Sequence, residues 1–272
     1  MGRIEKKKIR TGLIIVPPVI FLIAIGPPAV LIFMVLLATF LGLREFYHLA
    51  LPDSTGPEQF LGIGLALVFS VIIAQGYLKT VPPFLVLLLL FLSIFFMSPS
   101  QDLSSTVSRM GITFFGIFYI GFLLSHVSLI RYMAGGKQWV LFLIATVWAG
   151  DISALVAGSF FGKHKLYPKI SPNKTYEGLA GAIGGSIVVA LVFSWLFIPS
   201  LGRNLCILVA IGLGIFGQLG DFTESMLKRG AQVKDSGSLI PGHGGMLDRL
   251  DSFLFSAPFL HYSLLCFLRE PR

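Results

Sequence analysis

Six residues near the C-terminus have the types and the spacing to do chemistry. Asp221, Glu224, Ser225 and Lys228 recur at i, i+3, i+4 and i+7, which lines them along one face of a helix. After a glycine-rich loop, Asp248 and Asp251 repeat the i, i+3 spacing. If the two helices lie side by side, four carboxylates meet at one depth and repel one another in a low dielectric. Two arrangements relieve that repulsion. In one, Asp221 pairs with Lys228 or Arg249 as a structural salt bridge at a helix end. In the other, the acids offer oxygen ligands to a divalent cation, as Mg²⁺ uses one or two carboxylates together with substrate phosphates.

The intervening loop, "KRGAQVKDSGSLIPGHGG" (228–245), adds Lys228, Arg229, Lys234 and His243 among five glycines. Glycine lets a backbone approach a ligand closely, and successive N–H groups form anion nests. The chemistry that fits is polyphosphate binding; the plainer alternative is a flexible basic loop. The loop itself matches neither a Walker nor a GxGxxG pattern. A second polar stretch, "GKHKLYPKISPNKTYEG" (162–178), places Asn173, Lys174 and Thr175 before Glu177. Thr175 is suited to cap the helix that follows, and Lys174 beside a helix N-terminus makes an anion site. Asp151, in "WAGDISA", lies deep in an apolar run and needs a partner or a cavity. His48 and His126 read as isolated residues near span ends, and Arg44–Glu45 as a local pair at the membrane surface.

These residues sit in an oily chain. Of 272 residues, 55% are hydrophobic and only 12% are charged, about half the charged fraction usual for a soluble domain. The mean hydropathy is +0.84. An all-α, polytopic membrane protein follows, with about nine spans at 11–26, 28–49, 60–77, 81–98, 109–131, 138–161, 178–198, 204–225 and 250–268. The N-terminal segment has the charge of a signal peptide but no small-residue cleavage site, and reads as a retained first span. The chain divides into N-terminal spans (1–100), a middle region with the first polar loop (101–176) and a C-terminal region (177–272). Cys206 and Cys266 both lie in apolar runs, which suits buried packing and rules out a disulfide framework. The net charge of +8 has no soluble basic domain to carry nucleic acid; it points to anionic headgroups or a phosphorylated substrate. With nine spans and the N-terminus inside, most Lys and Arg fall on the side of both polar loops, which makes that side cytoplasmic. Losing one span from the count would reverse the assignment.

Residues 225–251, "SMLKRGAQVKDSGSLIPGHGGMLDRLD", closely resemble the signature of phosphatidate cytidylyltransferases, also called CDP-diacylglycerol synthases. Ser225, Lys228, Arg229, Lys234, Asp235, Pro241, His243, Gly244, Gly245, Asp248, Arg249 and Asp251 match its order and spacing. The stretch "FGKHKLYPKISPNKTYEG" resembles the family's second conserved segment. Family members often carry Thr and an aromatic residue where this chain has Ile152 and Leu155.

The resemblance implies that CTP and phosphatidate give CDP-diacylglycerol and pyrophosphate, with Mg²⁺ and room for a second, monovalent cation. It implies metal ligation by Asp221, Asp248 and Asp251, and catalytic roles for Asp221, Asp248, Lys228, Arg229 and His243. Substrate contacts fall to Asn173, Lys174, Thr175, Glu177, Ser225, Lys234, Asp235, Gly244, Gly245 and Arg249. It further implies a homodimer among membrane lipids, multi-pass in a bacterial inner membrane, with its site facing the cytoplasm. An ion-coupled transporter would also explain intramembrane acids, but not the ordered Lys-Asp-His-Gly-Gly loop.

Overall fold

The computed structural model describes residues 14, 16–52, 56–97, 103–199, 201–237, 239 and 244–267. Its apolar runs are helices, because in hydrocarbon only a helix satisfies each backbone N–H and C=O within its own segment. Proline and glycine set the ends. The first described helix, α1 (Val16–Ile25), carries Pro17–Pro18 and stops at Gly26–Pro27. Pro28 opens α2 (Pro28–Ala50), where its missing N–H is not needed. Next come α3 (Gly56–Ala74) and a 3₁₀ turn at Leu78–Thr80 that runs into α4 (Val81–Phe96). Helix α5 (Leu103–Gly116) passes through a π-helical stretch, Ile117–Phe122, into α6 (Leu123–Tyr132). A left-handed Gly135, at φ 71°, starts α7 (Gly136–Phe161).

The polar loop after α7 is not featureless. It forms an antiparallel hairpin of β1 (Lys165–Tyr167) and β2 (Ser171–Thr175), with Lys165 opposite Thr175 and Tyr167 opposite Ser171. Helices α8 (Tyr176–Phe197), α9 (Arg203–Gly230) and α10 (Leu247–Phe267) complete the chain.

Among the described residues eight helices are long and apolar enough to cross a membrane, one fewer than the sequence predicts. The difference is α1, of which the described part, Val16–Ile25, covers about 15 Å of a hydrocarbon core of about 30 Å. Residues 11–13 and 15 of that expected span lie outside the described set. The relation between the two polar loops is unaffected, because two full spans, α8 and α9, separate them and return the chain to the same face.

Packing runs across the sequence divisions at 100 and 176: α7 lies against α8 and α9, and α2 reaches α10. The α7–α8 seam is built from small residues. A Cβ on Gly181 would come within 2.4 Å of the Ala157 Cβ, and one on Gly185 within 2.0 Å of the Ser153 Oγ, so the two backbones approach as closely as glycine permits. Helix α9 has 28 residues, about 42 Å, and its last turns therefore reach beyond the hydrocarbon. Cys206 is buried, but Cys266 is exposed near the end of α10, against the sequence expectation. Its side chain borders an open apolar groove and not the helix core. His126 is not isolated either: α6 packs on α10 and brings its ring 5.3 Å from the rings of both His261 and Tyr262.

Candidate active site

Helices α9 and α10 meet so closely at Gly220 that a Cβ there would lie 2.2 Å from the Asp251 carbonyl oxygen. This contact brings the acids of the two helices together. Asp221, Glu224 and Asp251 each offer a carboxylate oxygen within 4.8 Å of the others. Glu224 is fully buried, and its Oε1 finds no hydrogen-bond donor among the described residues. The resemblance singles out Asp221, Asp248 and Asp251 as ligands; the structure groups Glu224 with Asp221 and Asp251, and Asp248 adjoins that group through Glu224 and their shared Lys228.

Two lysines stand against these acids. The Lys174 ammonium, carried in from β2, lies 2.8 Å from Asp221 Oδ2 and 4.0 Å above the ring of Phe222. Lys228 bridges the helices, pairing with Glu224 one turn back and with Asp248 Oδ1 at 2.7 Å. The ion-pair partner of Asp221 is therefore Lys174, and neither Lys228 nor Arg249 as the spacing allowed. The other two acids receive neutral donors. Asp151 Oδ1 accepts from Gln218 Nε2 at 3.2 Å and Ser252 Oγ at 3.3 Å, and Asp251 Oδ1 accepts the Ser252 N–H at 2.7 Å. Two ammonium groups thus serve three of five carboxylates.

A cavity of about 510 Å³ opens beside this cluster, between α7, the hairpin, α8 and α9. Asp151, Asn173, Lys174, Gln218 and Asp221 supply polar groups to it, and Leu155 and Leu179 supply apolar ones. Its size is that of ordinary small-molecule pockets. Ile152 and Leu155 are both exposed on α7, and Leu155 borders the cavity.

The glycine loop closes the site from the α10 side. Asp248 Oδ2 accepts from the N–H groups of Ser236 (3.0 Å) and Gly245 (2.8 Å), and lies 2.9 Å from Ser236 Oγ. Glu45, from α2, accepts from the N–H groups of Met246 and Leu247, both at 2.8 Å, and its Oε2 is 3.0 Å from Ser236 Oγ. Glu45 does not act merely as a local surface partner of Arg44; it reaches 201 residues along the chain to the start of α10. Two glycines make this possible. Gly244 has φ 81° and Asp248 Oδ2 2.5 Å from where a Cβ would stand, while at Gly245 a Cβ would meet Ser236 and Glu45 oxygens at 2.2 and 2.3 Å.

The remaining predicted site residues have these places. Thr175 is the N-cap of α8, accepting the Gly178 N–H at 3.0 Å. Glu177 takes the ring and backbone N–H of His164, the former at 2.7 Å, and so ties the hairpin base to α8. Arg229 donates to the Ile170 and Val233 carbonyls at 3.2 and 3.3 Å, which fastens the hairpin turn to the end of α9. Ser225 donates to Asp221 Oδ1 at 3.3 Å. Asn173, Lys234, Asp235 and Arg249 are exposed. Pro241 and His243 lie outside the described residues. Sequence reasoning missed Glu45, Ser236, Gln218 and Ser252; each is a single polar residue with no spacing signal, placed only by tertiary packing.

Helices long and apolar enough to cross a membrane, with surplus acid, two lysines and a cavity gathered at one end of α9 and α10, define a polytopic membrane protein with a polar site. Comparison with known proteins gives this class a family. Residues 6–267 match the model of the cytidylyltransferase family, and the chain belongs to it: it is a nucleotidyltransferase and not an ion-coupled transporter. It is 35% identical over 269 residues to a phosphatidate cytidylyltransferase of Bacillus subtilis (strain 168), covering 96% of this chain and 98% of that protein. A protein of the same name from Synechocystis sp. is 31% identical over 261 residues, 85% of this chain and 87% of the relative. One from Staphylococcus epidermidis is 49% identical over 130 residues, 48% of this chain and 50% of the relative.

Proposed function

We propose that the protein is a phosphatidate cytidylyltransferase, joining CTP and phosphatidate into CDP-diacylglycerol and pyrophosphate at the cytoplasmic face of the membrane. The observation that carries this reading is the surplus of acid beside two lysines and a cavity at a single membrane face. A lipid phosphate reaches such a site from the bilayer and a nucleotide from water.

The nucleophile is a phosphate oxygen of phosphatidate. A phosphate monoester has a second pKa near about 6 and is largely dianionic at neutral pH, so no side chain needs to take a proton. That oxygen forms a bond to the α-phosphorus of CTP, and the bond from that phosphorus to the bridging oxygen of the β-phosphate breaks, releasing pyrophosphate. The obstacle is electrostatic, since one anion must approach another. Lys174 and Lys228, each held by carboxylates at the rim, are placed to transfer donors to phosphate oxygens. Asp248 holds Lys228 in place, and Asn173 lines the same cavity.

The donor set also fits a divalent cation. Asp221, Glu224 and Asp251 are hard oxygen ligands clustered at metal-binding spacing, and the unsatisfied Glu224 Oε1 is a buried acceptor in need of a partner. Mg²⁺ bound there would supply charge neutralisation for the reacting and departing phosphates. The test is direct. Purified protein with labelled CTP, phosphatidate and Mg²⁺ should yield a labelled lipid and free pyrophosphate; label that never enters the lipid phase overturns the reading.

A further inference from the structure

Glu45 stands outside every segment that carries the chemistry, yet both of its oxygens are spent on the loop that closes the site. Its Oε1 takes the Met246 N–H, and its Oε2 takes the Leu247 N–H and faces the Ser236 hydroxyl. Ser236 lies on the limb leaving α9, and Met246 and Leu247 lie on the limb entering α10. One carboxylate from α2 therefore clasps the two ends of the loop together. The Ser236 hydroxyl stands between Glu45 Oε2 and Asp248 Oδ2 at 3.0 and 2.9 Å, and it has one proton for the two oxygens. The backbone N–H groups of Ser236 and Gly245 hold the same Asp248 oxygen. That leaves Oδ1 as the oxygen turned to Lys228.

We propose that Glu45 is a positioning residue for nucleotidyl transfer: by clasping the loop it fixes the Asp248 carboxylate and, through it, the Lys228 ammonium. The chain of contacts runs Glu45, Ser236, Asp248, Lys228, with no other side chain between. The glycines at 237 and 245 agree with this, since a Cβ at either would fall within 2.8 Å of a Glu45 oxygen. A carboxylate that only capped α10 would need the Met246 and Leu247 N–H groups but not Ser236. A carboxylate that merely plugged an anion nest would compete with CTP phosphate for those N–H groups.

The inference rests on the proposed reaction for its kinetic arm, and a second arm is independent of it. Glu45→Gln keeps the size of the side chain but loses one acceptor and the charge. Its kcat should fall, and its KM for CTP rise, by about tenfold or more together, the worth of a lost charge-assisted hydrogen bond, while the KM for phosphatidate stays near wild type. The double variant Glu45→Gln/Lys228→Met should be no worse than Lys228→Met alone, because both act on one group. Limited trypsin cleavage at the exposed Lys234 should quicken in Glu45→Gln whatever the reaction. Ser236→Ala, which removes only the shared hydroxyl, should show a smaller effect in the same direction and serves if Glu45→Gln does not fold. A KM for CTP that drops in Glu45→Gln, losses that simply add in the double variant, or unchanged cleavage at Lys234 would each overturn the proposal. A wild-type protein that makes no labelled lipid would instead overturn the reaction, leaving the cleavage result to judge the clasp.

Discussion

Two buried sets of charge lie toward the same face of this membrane protein and are built on opposite principles. Between α3 and α5, Arg109 meets Glu58 side-on along one guanidinium edge, Nε lying 3.2 Å from Oε2 and Nη2 reaching Oε1. One acid meets one base, and the Glu58 side chain is 1% exposed. Where α7, α9 and α10 meet, two lysines pair with only three of five carboxylates, one cluster of three acids sits within 4.8 Å, and a cavity opens beside them. A matched pair is complete as folded, and losing either member leaves a buried charge uncompensated. An unmatched cluster folds with repulsion retained, which is reasonable only where a cation from outside joins it. The contrast separates charge that holds the fold from charge kept for a ligand.

The comparison is most exposed to a variant on its unmatched side. Asp251→Asn should lower turnover by about 10²–10³-fold, the scale for losing one preorganised electrostatic group, while the melting temperature in detergent stays level or rises. A fall in Tm of the kind expected for a paired acid would erase the distinction. On the matched side, Glu58→Gln should cost about 3 kcal/mol of stability, read as a lower Tm, with turnover per folded molecule kept. Mg²⁺ sharpens the contrast further. At about a hundred times its Kd it should stabilise the wild type by about 2.7 kcal/mol, do the same for Glu58→Gln, and do nothing for Asp251→Asn. The smallest effect belongs to neither cluster. Thr175→Ala removes only the α8 cap and should cost about 1 kcal/mol, with CTP dependence unchanged; a raised KM for CTP would assign Thr175 to the substrate instead.

Much of the frame can be read along the chain, because a span in lipid is written as one long apolar run. The runs at 28–49 and 138–161 become α2 and α7 with ends shifted by one or two residues. The first run, 11–26, is described as a helix over Val16–Ile25, ending at Gly26–Pro27, and residues 11–13 and 15 lie outside the described set. The acids of α9 could be found from helical spacing, and so could Asp251. What spacing cannot show is which acid turns inward. Glu224 and Asp248 both sit three residues from a cluster member, yet Glu224 turns a free oxygen to the cluster while Asp248 spends its oxygens on Lys228 and on the Ser236 and Gly245 N–H groups. Lys174 lies in a loop 47 residues before Asp221, and only the hairpin at 165–175 brings it in. Glu45 gives no local signal, because its partners are backbone amides on a loop at the far end of the chain.

The glycine seam between α7 and α8 bears on how the cavity admits its contents. With Gly181 and Gly185 already at the limit of approach, these two helices behave as a single stiff plank that carries Asp151 along one edge. A plank of that kind neither slides nor parts by small steps. The opposite bank is joined by separate polar contacts, Arg229 to the Ile170 carbonyl and Lys174 to Asp221, which can break one at a time.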